Sequence, residues 1–192
     1  MADRRLHVLV TGSSGRIGTA VAERIAREAT VLGLDLRPGH WTTAVGDITD
    51  SRFVDPLVRG VDVIVHVTAL HAPHVGCRSE EEFRRVNVEG TRALLGASLG
   101  AGVRRFVFTS TTSVYGCTSR AKDRAIWVTE ELEPPPEDIY DITKLEAEQS
   151  CREAIGPDLS IVALPMSRCF QEPDHLLTFY RLYRSVDRRD VV

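Results

Sequence analysis

Tyr140 and Lys144 stand four residues apart in the segment YDITK, a spacing that puts both on one face of a helix. A free phenol titrates at about 10 and is a poor base at neutral pH. An ammonium a few ångströms away favours the phenolate and moves tyrosine toward acid–base work. Upstream, Ser110-Thr111-Thr112-Ser113 supplies four hydroxyls directly after an apolar run. A hydroxyl at the end of a strand can hydrogen-bond a substrate oxygen while a carbonyl and an alcohol interconvert. Each feature also has a plain structural explanation: an amphipathic helix with an exposed lysine, and a Ser/Thr turn. The catalytic explanation gains its weight from what precedes them.

That preceding feature is LHVLVTGSSGRIG, Leu6 to Gly18. The apolar run suits a parallel strand buried on both faces. Gly12, Gly15 and Gly18 then open into AVAERIAREA, which has helical spacing. A strand turning sharply into a helix leaves backbone N–H groups unpaired, and glycines let a phosphate approach them. The next strand, TVLGLD, ends in Asp35, about 20 residues beyond the loop as a dinucleotide fingerprint requires. A carboxylate there accepts from both adenosine ribose hydroxyls and repels a 2′-phosphate, so the expected cofactor is NAD in preference to NADP. Arg37 is taken as a solvated turn residue.

The elements that must position these groups alternate. Strands are expected at 6–11, 30–35, 41–45, 61–67, 105–109 and 159–164. Helices are expected after Gly15, from Thr49 or Asp50 to about Arg59, over 79–99, and over 137–155. Glu82 can complete a capping box on Ser79, and Gly100 and Gly102 are expected to stop that helix. Residues 120–136, with three consecutive prolines, read as a surface loop. Strands alternating with helices predict an α/β fold, a doubly wound parallel sheet in a Rossmann-like three-layer αβα sandwich. The glycine loop, Asp35, Asp47, His66–Leu70 and Ser110–Tyr115 then all fall at the carboxyl ends of the strands, where such folds bind ligands.

The chain has 192 residues and a formal net charge of −3. That length makes one domain with a real core, and the charge argues against a nucleic-acid or anionic-membrane partner. No run approaches the length of a membrane span, and the N-terminus lacks the pattern of a signal peptide. Cys77, Cys117, Cys151 and Cys169 lie far apart, which suits reduced cytoplasmic thiols better than metal ligation. His66, His71 and His74 lack a carboxylate or cysteine at fitting spacing, so no metal site is expected. His71 and His74 either line a substrate mouth or are plain loop polarity. Trp41 and Trp127 read as packing residues, and the Arg-rich stretch 181–189 as a solvated face.

TGSSGRIG, Asp35, GDITD, VHVTAL, VNVEGT, FTSTTSVYG and YDITK occur in the order and spacing of the extended short-chain dehydrogenases/reductases. The segment from Leu6 to about Phe170 most closely resembles the NAD-dependent epimerase/dehydratase subgroup. The resemblance implies a Rossmann fold, a tightly held nicotinamide dinucleotide, and a catalytic centre of Thr111, Tyr140 and Lys144. Tyr140 would be the acid/base while hydride passes to or from the nicotinamide. Lys144 would hold the nicotinamide ribose and lower the Tyr140 pKa. Gly12, Ser14, Gly15, Arg16, Ile17 and Gly18 would form the phosphate loop. Asp47 and Ile48 would flank the adenine, and Val67, Thr68 and Ala69 would run beside the phosphates and ribose. Asn87 matches a structural helix asparagine.

The implied activity is an oxidoreductase or epimerase acting on a small-molecule hydroxyl/keto substrate, a sugar or nucleotide sugar, in a cytoplasmic homodimer. Thr112 and Ser113 stand where sugar dehydratases carry their extra acid–base pair, which counts against dehydration. Pro165 stands where the family usually has arginine, which puts local sheet or cofactor contacts in question. Residues 1–164 correspond to the dinucleotide-binding domain and 165–192 to the start of a substrate lobe that is otherwise missing. That shortening predicts an exposed apolar strand edge or helix face, and keeps a second reading open: a dinucleotide-binding module or inactive fragment without turnover.

Overall fold

The computed structural model describes residues 4–116, 129, 135–167 and 169. Six strands form one sheet: β1 (His7–Thr11), β2 (Thr30–Asp35), β3 (Ala44–Val45), β4 (Val63–His66), β5 (Arg105–Thr111) and β6 (Ser160–Met166). All pairs are parallel and the order is β3-β2-β1-β4-β5-β6. The helices are α1 (Arg16–Ile25), α2 (Ser51–Leu57), α3 (Glu80–Phe83), α4 (Gly90–Ala101) and α5 (Ile139–Ala154). The strands are rich in Val, Ile, Leu and Phe because both faces of the central sheet are covered. One apolar cluster joins Leu9, Leu34, Ile64 and Phe106 to α2, α4 and α5. A second packs Val8, Val10 and Val65 against Val21 and Ala22 of α1.

Several boundaries differ from the expected ones, each for a local reason. β3 shrinks to two residues; before it, Thr43 N–H donates to the Gly33 carbonyl at 2.9 Å, while the Gly33 N–H is taken by the Thr43 hydroxyl rather than by a backbone carbonyl. Asp50, not Thr49, caps α2, its carboxylate accepting from Arg52 N at 3.0 Å. The capping box of Ser79 and Glu82 forms as expected. The helix it opens is not uniform: Arg84–Glu89 is a π-helical segment between α3 and α4. Gly100 lies inside α4, and only Gly102, at φ 71°, ends it. Leu99, near the C-terminal end of α4, is exposed.

β5 runs two residues further than expected, so Ser110 and Thr111 are strand residues paired with Pro165 and Met166. The ladder thus continues through Pro165. Val162 and Leu164 of β6, and Ile155 before it, are exposed. The greater part of the 120–136 loop, together with Cys117, Trp127 and nearly all of 165–192 beyond Ser167, lies outside the described residues. Among the described residues no helix is long and apolar enough to cross a membrane.

Candidate active site

The first crossover makes a phosphate-sized cradle. Gly12 adopts φ 72°, open to glycine but strained for other residues. Gly15 N–H donates to the Gly12 carbonyl at 2.9 Å and closes the turn. Gly15 is the N-cap of α1 and brings no side-chain cap, so the first amides of the helix have no intrahelical partner. A Cβ on Gly18 would stand 2.0 Å from the Gly12 carbonyl oxygen, so helix and turn approach as closely as backbone can.

Asp35 is fixed beside this loop. Its Oδ2 accepts from Ser14 N–H and its Oδ1 from Arg37 N–H, both at 3.1 Å. Arg37 itself is exposed, as a solvated turn residue should be. Asp47 accepts from Thr49 and pairs with Arg85 at 2.9 Å. Burial works to raise its pKa, but the hydrogen bonds from Arg85 and Thr49 outweigh that and hold the carboxyl below its ordinary value. Ile48 is buried and packs where only the missing side chain of Gly90 leaves room.

One cleft at the carboxyl ends of the strands is lined by Gly12, Gly15, Arg16, Ile17, Gly18, Asp35, Asp47, Ile48, Val67, Thr68, Ala69, Thr111, Tyr140 and Lys144. Ser14 alone of the expected site residues does not line it. Its hydroxyl, and that of Thr68, are buried without a hydrogen-bond partner among the described residues. The unpaired Thr68 hydroxyl, which lines the cleft beside the glycine turn, suits a polyanionic ligand, and the acidic end of β2 suits a diol. The residues present fit a dinucleotide.

The segment 67–69 is held from below by His66. Thr11 Oγ1 accepts from the Val67 and Thr68 N–H groups, so its own proton faces His66 Nδ1, 2.7 Å away. Thr91 Oγ1 donates to the Asn87 carbonyl and therefore accepts from His66 Nε2–H at 3.0 Å. His66 is a neutral structural group with the Nε2 tautomer assigned by this network, and not a ligand. Burial, followed by the Lys144 charge, pushes its pKa down to about 3. The folded chain thus refuses a proton that the unfolded chain takes up below the ordinary value of 6.5. Stability contributed here is full above pH 6.5 and is lost as pH falls toward 3. Between pH 6.5 and 5 the loss from this group is about 2 kcal/mol. Urea titrations at the two pH values should show it in the wild type and a correspondingly smaller loss in His66→Gln. Equal pH dependence in both would overturn the assignment.

Asn87 plays the structural part expected of it, bonding both backbone groups of Leu70 and the Thr143 hydroxyl. His71 N–H donates to His74 Nδ1 at 3.0 Å, and both imidazoles line the cleft mouth. Among the described residues no cluster of three His, Cys, Asp or Glu could hold a metal. Cys77, Cys151 and Cys169 are free thiols, and burial pushes Cys151 up to about 12.

Thr111 and Tyr140 line the same cleft, the Thr111 hydroxyl working to lower the phenol's pKa. Lys144 does not behave as expected. Its Nζ donates to the Thr109 carbonyl at 2.6 Å and stands 4.0 Å over the Phe108 ring. Burial lowers its own pKa to about 7, against the opposing charge of Glu148. Tyr140 is correspondingly not lowered: burial pushes it up to about 12, with Thr111 pulling the other way and Asp141 adding to the rise. Both side chains line the cleft, and the lysine ammonium is held there by a carbonyl and a ring of β5. Ser113 and Asp141, which join this cluster through a bond between Ser113 Oγ and Asp141 Oδ1 at 2.7 Å, carried no signal in the sequence beyond lying beside the expected residues.

A parallel sheet in this order, with a glycine turn after its first strand and a carboxylate ending its second, is a dinucleotide-binding Rossmann fold. Within that class the chain belongs to the NAD dependent epimerase/dehydratase family, whose model matches residues 8–169. It is 32% identical over 150 residues to the N-acetyl-alpha-D-glucosaminyl-diphospho-ditrans,octacis-undecaprenol 4-epimerase of Escherichia coli O157:H7, covering 77% of this chain and 43% of that protein. It is 34% identical over 193 residues to the 3 beta-hydroxysteroid dehydrogenase/Delta 5-->4-isomerase of Mycobacterium tuberculosis, covering 93% of this chain and 51% of that one. Among solved structures it resembles MoeE5 in complex with UDP-glucose and NAD, with a TM-score of 0.73, 30% identity, and coverage of 90% of this chain and 59% of that chain. The chain thus spans about half the length of the curated relatives it matches.

Proposed function

We propose that this chain carries the cofactor site and proton-transfer centre of an NAD-dependent oxidoreductase or epimerase acting on a hydroxyl/keto group of a nucleotide-linked sugar. The observation that carries this reading is the convergence of Thr111 and Tyr140 on the cleft that the glycine turn and Asp35 also line. Gly12–Gly18 would hold the dinucleotide phosphates, Asp35 the adenosine ribose, Asp47 and Ile48 the adenine, and residues 67–69 the inner ribose and phosphates. Bound NAD supplies hydride acceptance and donation. Tyr140, a neutral phenol at pH 7, gives a proton to the substrate oxygen in reduction and takes it back in oxidation. Lys144 uses one of three ammonium donors on Thr109, leaving others for a ribose. The substrate class draws on the relatives that handle sugar diphosphates. Residues 165–192 would begin the substrate lobe, the long helices α4 and α5 would form a homodimer contact, and the free thiols suit the cytoplasm.

Calorimetry with NAD and NADP tests the cofactor assignment. NAD should bind tighter by roughly 10–100-fold, since a 2′-phosphate would face the Asp35 carboxylate. Asp35→Asn should narrow the gap. Equal affinities in the wild type would remove Asp35 from the site. A panel of UDP-glucose, UDP-glucuronic acid and 3β-hydroxysteroids, read by NADH absorbance and product analysis, tests the substrate class. Turnover of the steroids alone would replace the sugar reading. A second reading, a binding module without turnover, is favoured by the rise of the Tyr140 pKa to about 12; tight NAD binding with no turnover on any substrate would support it.

A further inference from the structure

Thr111 ends β5 at the cleft, and the hydrogen bonds behind it fix what its hydroxyl can offer there. Ser113 Oγ donates to Asp141 Oδ1 at 2.7 Å. Thr111 Oγ1 and Ser113 Oγ lie 2.8 Å apart, and Thr111 Oγ1 also accepts from Ser113 N–H at 3.1 Å. A serine hydroxyl has one proton. With that proton on an ionised Asp141, Thr111 must be the donor to Ser113. Its oxygen then has one lone pair and no proton for a group in the cleft. The opposite state is as definite. Asp141 Oδ2 accepts from Glu137 N–H at 3.2 Å, so a proton taken up by the carboxyl goes to Oδ1, the oxygen bonded to Ser113. The acid then donates to Ser113, and Ser113 to Thr111. Both Thr111 lone pairs are filled, by Ser113 N–H and Ser113 O–H, and its proton is left for the cleft.

Alcohols and ketones differ in this one respect: a hydroxyl can donate, and a carbonyl oxygen only accepts. We propose that Asp141, acting through Ser113, selects the oxidation state of the substrate that Thr111 holds. Ionised, it makes Thr111 an acceptor for a substrate hydroxyl; neutral, it makes Thr111 a donor to a substrate carbonyl. The proposal rests on the reading of Thr111 as the hydroxyl that meets the substrate oxygen. Ser113 and Asp141 act through Thr111 and are positioning residues. Above the titration of Asp141, binding a ketone draws one proton from solvent onto Oδ1, and binding the alcohol draws none. No substrate bond changes in that step. By linkage, a bound ketone raises the Asp141 pKa by as much as the proton strengthens ketone binding.

The surroundings of Asp141 suit a carboxyl that changes state. It is buried, and burial pushes its pKa above the ordinary value. The bonds from Ser113 and Glu137 N–H oppose the rise, and the charges of Asp138 and Glu137, at the start of the same helix, add to it. On that helix the Lys144 ammonium is engaged by the Thr109 carbonyl. The turn after β5 presents the Ser113 hydroxyl, and on the π-helical segment Arg84 is paired with Glu146 and Arg85 with Asp47. Any help that Thr111 gives the Tyr140 phenol is a donor's help, and it too belongs to the neutral state.

Two experiments test the switch. In the first, neutron diffraction on deuterated, ligand-free crystals locates the deuteron between Thr111 and Ser113. Data are taken above and below the titration of Asp141, which carbon-13 NMR of aspartate Cγ locates, with Asp141→Asn assigning the signal. The deuteron should sit on Thr111 Oγ1 above and on Ser113 Oγ below; the same position at both would overturn the proposal. In the second, protein saturated with NAD is titrated with the ketone of the panel member that turns over, and protein saturated with NADH with its alcohol. Neither pair can exchange hydride. Calorimetry in two buffers of different ionisation enthalpy counts the protons. Above the Asp141 titration the ketone should take up close to one proton and lose about tenfold in affinity per pH unit, and the alcohol should take up none. In Asp141→Asn the amide oxygen must serve Glu137 N–H, which leaves the amide N–H for Ser113 and fixes Thr111 as a donor. That variant should bind ketone without proton uptake or pH dependence and bind alcohol about tenfold more weakly. Ser113→Ala should bind both forms with no uptake, whereas damage to the fold would weaken both alike. No uptake in the wild type, or uptake that survives Ser113→Ala, would overturn the proposal. Failure to bind NAD would sink the functional reading and leave the diffraction result standing, so the two failures are distinguishable.

Discussion

Tyr140→Phe should lower turnover by roughly 10²–10⁴-fold and leave NAD affinity within about twofold, since the ring stays in place and at most one of the many contacts to the dinucleotide is lost with the hydroxyl. The buried phenol is pushed up to about 12, so at pH 7 it carries its proton and is poised to deliver it to a carbonyl oxygen. Phenylalanine keeps the ring and its packing but has no proton to move. Removing the hydroxyl should cost no more than about 1 kcal/mol of stability, too little to unfold a domain. Steady-state assays on whichever substrate of the panel turns over, with calorimetry alongside, separate the two quantities. Normal turnover in the variant would remove Tyr140 from the chemistry. A parallel loss of NAD affinity would mean that the ring positions cofactor, and that the kinetic loss is not a proton effect.

What could be read from the sequence follows from what is local. The buried strands announce themselves as unbroken apolar runs, and the glycine turn by spacing, because both are set within a few consecutive residues. Asp35 could be placed because a strand's last residue is fixed by the strand itself. Tyr140 and Lys144 share a helix, so their register was legible; where the lysine chain went was not, because Thr109 and Phe108 belong to another element. The same holds for Ser113 and Asp141, 28 residues apart, joined only when the turn after β5 meets the start of α5. The π-helical segment has no periodic mark, since the shift from 3.6 residues per turn occupies one wide turn. β3 is shorter than its strand propensity suggests, the Thr43 hydroxyl taking the Gly33 N–H that a ladder would give to a carbonyl. Gly33 shows the same limit: a Cβ there would lie 1.8 Å from the Trp41 carbonyl oxygen, a requirement created by a loop returning across β2.

Gly18→Ala should damage both binding and stability, whereas Gly15→Leu should damage binding alone. An alanine Cβ at position 18 would sit 2.0 Å from the Gly12 carbonyl oxygen and 2.6 Å from its carbon. Both are backbone atoms, so α1 must move away from the turn. Such overpacking costs about 1–3 kcal/mol, a fall in melting temperature of roughly 2–12 °C for a domain of this size. The moved helix also carries its first amides away from the phosphate cradle, and losing two charge-assisted hydrogen bonds weakens NAD by roughly 100-fold. At Gly15 the backbone is extended, at φ −75° and ψ 165°, which any residue can adopt. A Cβ there would lie 3.1 Å from the same carbonyl oxygen, a contact that a few tenths of an ångström relieves. Leucine at 15 should therefore leave the melting temperature nearly unchanged while its side chain fills the space a phosphate needs, and NAD affinity should fall by a similar factor. Differential scanning calorimetry and NAD titration of the two variants give four numbers. If Gly15→Leu bound NAD as the wild type does, the turn would be no more than a tight β–α connection, and the unpaired Thr68 hydroxyl beside it would need another ligand.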